Sequence, residues 1–353
     1  MTEHVPQDDG AAGSSRRRFL QQLGRGAVGG SVAATLLCTA AAEGPGAKPQ
    51  AGTVRQRPLG KTGLKVSEIG FGGHSWSYAR VPDGKGGMRA VTLDEAERII
   101  RLGLDMGVNF LDACTPIEEH SVPGEVLKRL KKRDQVILSG RLCHRMKGVE
   151  KDKDEIYKFV DARLKLLRTD YFDLLMVTNT ENDTRMSGYW DMSYSIEALD
   201  RMKQQGKVRF TGFGCHFTPE LFLQAFENYA RSFDVCSLPY NVRHRVAEQI
   251  MPAAKKAGLG IVTIKPFARG ELLKDRPLDG ADAGLPRDMI AFVLENEHVD
   301  CCICGLHTEA HARENFSASW TRLSPEDRRR LEKVAALAPC RNQGWLEQGW
   351  RYA

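Results

Sequence analysis

The feature that most narrows what this chain can become is an alternation: short apolar runs of strand length are followed, again and again, by segments whose apolar residues recur at helical spacing. Runs at 66–73, 109–113, 135–141, 172–178, 208–215, 233–240, 260–267 and 299–305 precede helical segments at 94–106, 124–132, 154–168, 195–205, 219–230, 246–257, 286–296 and 311–319. The runs are nearly unbroken Val, Ile, Leu, Phe and Cys. Strands of that kind are buried on both faces, as parallel strands covered by helices must be. Eight such units close into a (β/α)8 barrel, the TIM-barrel architecture. A last helix, with Ser324 as its N-cap and Glu326 and Asp327 in its first turn, runs to about residue 337.

The ends of the chain read differently. Ser15, Arg16, Arg17, Arg18, Phe19, Leu20 and Gln21 form a twin-arginine export signal, followed by an Ala/Gly-rich stretch at 26–42 with Ala40 and Ala42 placed for cleavage. The expected organisation is a signal peptide at 1–42, a flexible Gly/Pro/Lys-rich leader at 43–56, a barrel at 57–340, and a tail at 341–353. Trp345, Trp350 and Tyr352 make that tail too aromatic for a free end, so it is expected to pack on the barrel. The expected location is periplasmic or otherwise extracytoplasmic, with the twin-arginine translocation machinery as a partner and no stable membrane span after cleavage. That route carries folded proteins, so a cofactor is expected to be loaded before export. A formal charge of +6, dispersed among acidic residues, is not the footprint of a nucleic-acid binder. Of nine cysteines, Cys301, Cys302 and Cys304 crowd one apolar run, which suits buried thiols and predicts no structural disulfide.

In a barrel of this kind the reactive side chains gather where strands end and turn into helices. Those positions are His74, 112–120, 141–144, 178–183, Cys215 with His216, 241–244, 265–269 and His307. Histidines and cysteines recur among them, so a metal-dependent enzyme using strand-end His and Cys is one alternative, although no two histidines show tight ligand spacing. No residue is therefore assigned as a metal ligand.

Arg57-Pro-Leu-Gly-Lys-Thr-Gly-Leu-Lys-Val-Ser-Glu-Ile-Gly-Phe-Gly-Gly73 resembles the opening hairpin and first strand of aldo/keto reductases. Gly107-Val-Asn-Phe-Leu-Asp-Ala113, Tyr171-Phe-Asp-Leu-Leu175, Gly206-Lys-Val-Arg209, Tyr240-Asn241, Lys265-Pro-Phe-Ala-Arg-Gly-Glu-Leu-Leu273 and Glu314-Asn315 continue the likeness in order. The resemblance implies an NAD(P)-dependent oxidoreductase acting on an alcohol or carbonyl compound, with sugars among the candidate small-molecule substrates. It implies a tetrad of Asp, Tyr, Lys and His. Here Asp112 stands at the aspartate position, but Ile117, Arg141 and Thr178 stand where the other three belong.

An isoleucine cannot donate a proton, so another acid or electrostatic partner is required. Glu118 or Glu119, and His120 or His144, are the candidate acids, with Glu118 and His144 taken forward; Arg141 is the candidate holder of an oxyanion or a substrate carboxylate, paired to Asp112 as a buried ion pair. The candidate catalytic set is thus Asp112, Arg141, Thr178, Glu118 and His144. By the same resemblance Gly73 and His74 flank a nicotinamide, Gly214, Cys215 and Ser237 occupy its carboxamide positions, and Lys265, Pro266, Arg269 and Gly270 meet the pyrophosphate. Glu314 and Asn315 fall at the adenine end. His311 replaces the arginine that grips the extra phosphate of NADP, which leaves NAD against NADP open. Retention of the dinucleotide as a tightly bound, recycled group would reconcile it with export. The other alternative is a non-catalytic barrel that binds a dinucleotide or small molecule.

Overall fold

The structure, a computed structural model, describes residues 52–76, 80–113, 121–143, 153–179, 192–216, 219–276 and 278–337. The expected export signal, the C-terminal tail, Ile117, Glu118, Glu119, His120 and His144 lie outside the described residues.

Eight parallel strands close into a barrel in the order β10-β11-β12-β3-β6-β7-β8-β9. These are β3 (Ile69–Phe71), β6 (Phe110–Ala113), β7 (Ile137–Cys143), β8 (Phe172–Asn179), β9 (Val208–Cys215), β10 (Val235–Pro239), β11 (Gly260–Ile264) and β12 (Cys301–Cys304). A helix follows each: α1 (Leu93–Asp105), α2 (Ser121–Leu130), α3 (Lys153–Leu167), α4 (Ser193–Gln204), α5 (Pro219–Tyr229), α6 (Ala247–Lys256), α7 (Leu285–Glu295) and α8 (Glu309–Ser317). α9 (Pro325–Leu337) ends the described chain, and Ser324 caps it as expected, its hydroxyl accepting from the Asp327 amide at 3.1 Å. The sequence fixes such starts by short polar residues; Thr92 does the same for α1 in a reciprocal capping box with Glu95. Among the described residues no helix is long and apolar enough to cross a membrane.

Alternation along the strands decides which side chains enter the barrel. Phe110, Ile137, Leu174, Met176, Val235, Val262, Cys301 and Ile303 form one buried cluster and fill its lower part. A hairpin of β1 (Gln56–Pro58) and β2 (Lys65–Ser67) adds Leu59 and Val66 to that cluster. The hairpin can sit so close only because residue 60 is glycine: its φ is +50°, and a Cβ there would lie 2.1 Å from the Gly260 nitrogen. The fully buried Glu68 carboxylate, paired to Arg55 at 2.9 Å and Arg57 at 2.7 Å, fixes the hairpin to the barrel. Continuing the inward alternation upward from the apolar cluster brings Asp112, Ser139, Arg141, Thr178, Gly214 and Ser237 to the barrel interior.

Three local features depart from expectation. The run at 66–73 divides into β2 and β3, because the chain passes from the hairpin into the barrel there. Order also begins before residue 57: Val54 is buried, and its amide donates to the Met106 carbonyl at 2.8 Å. Between β3 and α1 lies an unanticipated hairpin, β4 (Arg80–Pro82) with β5 (Met88–Ala90). Its turn is built by Asp83, whose carboxylate accepts from the amides of Lys85 and Gly87 at 2.7 and 2.8 Å.

Cys215, Cys236, Cys301, Cys302 and Cys304 all lie buried in barrel strands. Burial pushes their acidity down where a shift is resolved, the Cys302 thiol rising to about 12. They pack as small apolar groups.

Candidate active site

The polar centre begins with Asp112 on β6 and Arg141 on β7. Asp112 is 4% exposed and Arg141 2%, and the arginine Nε lies 3.1 Å from each carboxylate oxygen. The pair expected from the sequence therefore forms. The contact runs through Nε to both carboxylate oxygens. Two charges taken out of water need each other, so the pair is a fixed unit whose members are not independently dispensable.

Buried hydroxyls surround it. Register aligns Cys143 with Thr178, Thr178 with Gly214, and Gly214 with Ser237, a row of partners that crosses four strands. Thr178 and Ser237 are fully buried, as is Ser139, which pairs in register with Asp112. The side-chain oxygens of all three have no hydrogen-bond partner within the protein. Such groups are costly unless something satisfies them, so these oxygens mark a place for a polar ligand or ordered water. Gly214 separates two of them, and a Cβ there would lie 2.8 Å from the Ser237 carbonyl and 3.1 Å from its Cβ. Ser237 thus leans over the glycine.

Two residues beyond Gly214 stands His216. Burial holds its basicity well below the ordinary imidazole range, and the basic groups nearby, Lys265 first and then Arg141, His74 and Arg269, lower it further. It is accordingly a neutral ring facing a cationic surround. Lys265 Nζ donates to the His216 carbonyl at 3.2 Å.

The segment after β11 is strained. Lys265, Ala268 and Arg269 have φ of 61°, 47° and 64°, joined by Gly270 at 89°. Left-handed backbone costs a non-glycine residue about 1–2 kcal/mol, and such strain concentrates at functional sites. Asn241 holds the segment: it is fully buried, its Nδ2 donates to the Lys265 carbonyl at 2.8 Å, and its Oδ1 accepts from the amides of Arg243 and His244. The same Nδ2 lies 2.8 Å from His244 Nδ1, which makes that nitrogen the acceptor. Burial, with Lys265 and Arg243 nearby, pushes His244 down to about 3. Pro266 is buried, Lys265 partly exposed, and Arg269 and Gly270 exposed.

The remaining predicted residues are spread around the same end of the barrel. Gly73 is buried and His74 exposed at the turn after β3. Cys215 is fully buried, so its thiol does not reach solvent. Glu314 is partly exposed on α8, whereas Asn315 is buried and donates from Nδ2 to the Gly305 carbonyl at 3.2 Å, tying α8 to the end of β12. His307 and His311 lie with ring centroids 5.9 Å apart, and burial lowers the basicity of His307. Among the described residues no group of three or more His, Cys, Asp or Glu could hold a metal ion. Sequence reasoning did not single out Ser139 or give Asn241 a task; the signal for Asn241 was a short polar side chain directly after an apolar strand.

A closed eight-stranded barrel with charged and hydroxyl side chains at the C-terminal ends of its strands defines a (β/α)8 enzyme-type scaffold. Residues 68–289 match the aldo/keto reductase family, and the chain belongs to it. L-galactose dehydrogenase of Arabidopsis thaliana is 25% identical over 324 residues, covering 83% of this chain and 97% of that protein. Aldo-keto reductase YhdN of Bacillus subtilis is 26% identical over 229 residues, covering 61% of this chain and 62% of its own length. Among solved structures, aldo-keto reductase AKR11C1 from Bacillus halodurans in its holo form superposes with a TM-score of 0.62 at 23% identity, covering 83% of this chain and 99% of that one. Family membership makes the chain an oxidoreductase by descent, and the family as a whole uses NAD(P)H.

The residues present fit such a group unevenly. The cationic, left-handed segment 265–270 suits a pyrophosphate, whose charge Lys265 and Arg269 would meet. Ser237 offers an unsatisfied buried hydroxyl at a carboxamide position, but Gly214 has no side chain and the Cys215 thiol is enclosed.

Proposed function

We propose that this chain is an exported NAD(P)-dependent oxidoreductase that interconverts an alcohol and a carbonyl compound. The observation that carries the reading is the buried Asp112–Arg141 pair at 3.1 Å, set inside the barrel at the strand ends with the cationic turn after β11 on the same face. Lys265 and Arg269 would hold the dinucleotide's pyrophosphate, and Ser237 its carboxamide. The dinucleotide supplies hydride acceptance or donation. The chain's own task is to bind the substrate, exclude water and stabilise charge on the reacting oxygen. Arg141 is the group for that last task, held in place by Asp112. Thr178, with a buried hydroxyl, is a second donor toward the same region. With isoleucine at position 117, proton delivery falls to another side chain, and Glu118 and His144 remain the proposed acids.

Sugars are the first substrate class to try, since one relative is named for L-galactose oxidation. Export rests on the twin-arginine segment at 15–21 and on the expectation that the chain folds around its dinucleotide first. The test is direct: purify the protein after native export, denature it, and assay the supernatant for NAD(H) and NADP(H) by mass spectrometry. Near-stoichiometric dinucleotide supports a recycled, resident cofactor. No dinucleotide, and no turnover with added NAD(P), would refute the reading in favour of a non-catalytic binding barrel, which the replaced Tyr, Lys and His positions favour.

A further inference from the structure

The helices of the barrel offer an internal comparison at their C-terminal ends. Five of them, α1, α2, α3, α4 and α6, close with the same turn: a residue just past the helix donates its amide to the carbonyl three residues back, and the next amide reaches the carbonyl five back. The first of these residues has positive φ each time. After α1, α4 and α6 it is glycine, at positions 107, 206 and 258, the residue this turn prefers. After α2 and α3 it is Lys131, with φ 54°, and Arg168, with φ 53°, in a backbone conformation that residues with a Cβ avoid. The helix dipole does not call for them, since Lys128 and Arg129 already stand in the last turn of α2 and Lys165 in that of α3.

Both exceptions line one cleft of about 320 Å³. It lies between the ends of α2 and α3 and the turns that lead into β7 and β8, at the opposite end of the barrel from the turn after β11. Four cations, Lys128, Lys131, Arg133 and Arg168, share its wall with one carboxylate, Asp134. Two of the four are engaged. Arg168 pairs with Glu125 at 2.8 Å, and Arg133 pairs with the buried Asp173 at 3.0 Å while donating to the carbonyls of Val136 and Tyr171. Asp173 is shared with Arg209 at 2.6 Å, so it offsets Arg133 only in part. Lys128 and Lys131 are exposed and make no ion pair among the described residues. Against an anion stand Asp134 and the two helix ends, each about half a negative charge. Lys128, Lys131 and, next along the chain, Lys132 outweigh them.

We propose that this cleft is a second ligand site, which binds the phosphoryl group of a small phosphate ester through Lys128 and Lys131. Its charges without ion-pair partners are ammonium groups, point charges that recognise charge density and lack the planar fork that selects a carboxylate. Its volume is at the lower end of the about 300–1,000 Å³ usual for ligand pockets, and Leu127, Leu167 and Tyr171 in its wall can cover the organic part of an ester. Lys131 and Arg168 stand where glycine would serve the fold better because their charge serves the ligand. The site is independent of the oxidoreductase reading and stands or falls without it.

The test is isothermal calorimetry on the whole protein at constant ionic strength, with glycerol 3-phosphate as the probe and glycerol as its neutral control. Saturable binding of glycerol 3-phosphate is expected, and none of glycerol. Lys131→Gly combined with Lys128→Gln should weaken it about tenfold or more, whereas Arg269→Gln, at the cationic turn on the other end of the barrel, should change it less than about twofold. Lys131→Gly alone should weaken binding and yet hold the Tm or raise it by about 1–3 °C, because it restores the residue the turn prefers. No saturable binding, affinity unchanged in the double variant, or binding lost in Arg269→Gln instead would each overturn the proposal. So would a Lys131→Gly protein that melts several degrees lower, since the lysine would then be serving the fold.

Discussion

The Asp112–Arg141 pair allows the sharpest test of how the centre is built. With Nε 3.1 Å from both carboxylate oxygens and both residues at 4% exposure or less, their attraction is only weakly screened. Unit charges about 4 Å apart at an effective dielectric of about 20 attract by about 4 kcal/mol. Removing either partner alone leaves the other buried and uncompensated, which costs about 3–5 kcal/mol. Asp112→Asn and Arg141→Met should therefore each shift the urea midpoint strongly, with fluorescence and circular dichroism transitions coinciding. The double variant removes both charges and should cost much less than the sum of the singles, giving a coupling of roughly 2–3 kcal/mol. Singles that add to within about 0.5 kcal/mol would show that the two groups do not act as a unit. Each single loss staying below about 1 kcal/mol would show that water reaches them. In either case the description of the polar centre would be wrong.

Four further outcomes follow from particular residues. Asp112→Asn should lower turnover at least about tenfold beyond any loss of folded protein, because Arg141 loses its fixed orientation; unchanged kcat in the folded fraction would remove Asp112 from the centre. His244 is near 6.5 when unfolded and near 3 when folded, so its neutral form stabilises the fold above pH 6.5 and that contribution drains away as pH falls toward 3. Stability should fall by about 3 kcal/mol from this group between pH 6.5 and 4, and His244→Gln should flatten that slope in urea titrations. Gly60→Ala forces a Cβ to within 2.1 Å of the Gly260 nitrogen at a φ of +50°, so the hairpin must leave the barrel; soluble expression at wild-type level would contradict the packing. Replacing Arg16 and Arg17 by lysine should retain the protein in the cytoplasm, read by fractionation of producing cells, and undiminished export would sink the proposed route.

Much of the fold was legible because barrel strands advertise themselves. The unbroken apolar runs mark strands covered on both faces, and every one of the eight appears within a few residues of its expected bounds. What escaped was local and polar. The β4–β5 hairpin has strands of three residues each, too short for alternation to register, and its only signal is the Asp83-Gly84 pair with Gly86 and Gly87 behind it. Val54 was hidden by its Gly- and Lys-rich surroundings, since a single buried valine docking on the α1 terminus leaves no period to read.

The candidate site divides in the same way. Asp112 and Arg141 were identifiable as a pair because both end strands and carry opposite charge. Ser139, by contrast, reads as an ordinary small residue inside a strand; only register with Asp112 and the lack of a partner for its oxygen distinguish it. Asn241 illustrates why such residues matter. Its one amide group holds the carbonyl of Lys265 while its oxygen collects two amides of its own loop, so a side chain that touches no ligand fixes the backbone in which three non-glycine residues are held left-handed. Asn241→Ala should therefore act at a distance: the segment would relax, Lys265 and Arg269 would lose their common placement, and dinucleotide affinity should fall about tenfold or more while secondary structure stays intact. Equilibrium binding of NAD(P)H by fluorescence checks this. Unchanged affinity in a folded Asn241→Ala protein would mean that the strained turn has no part in holding the dinucleotide, and the pyrophosphate would have to be met elsewhere on the barrel face.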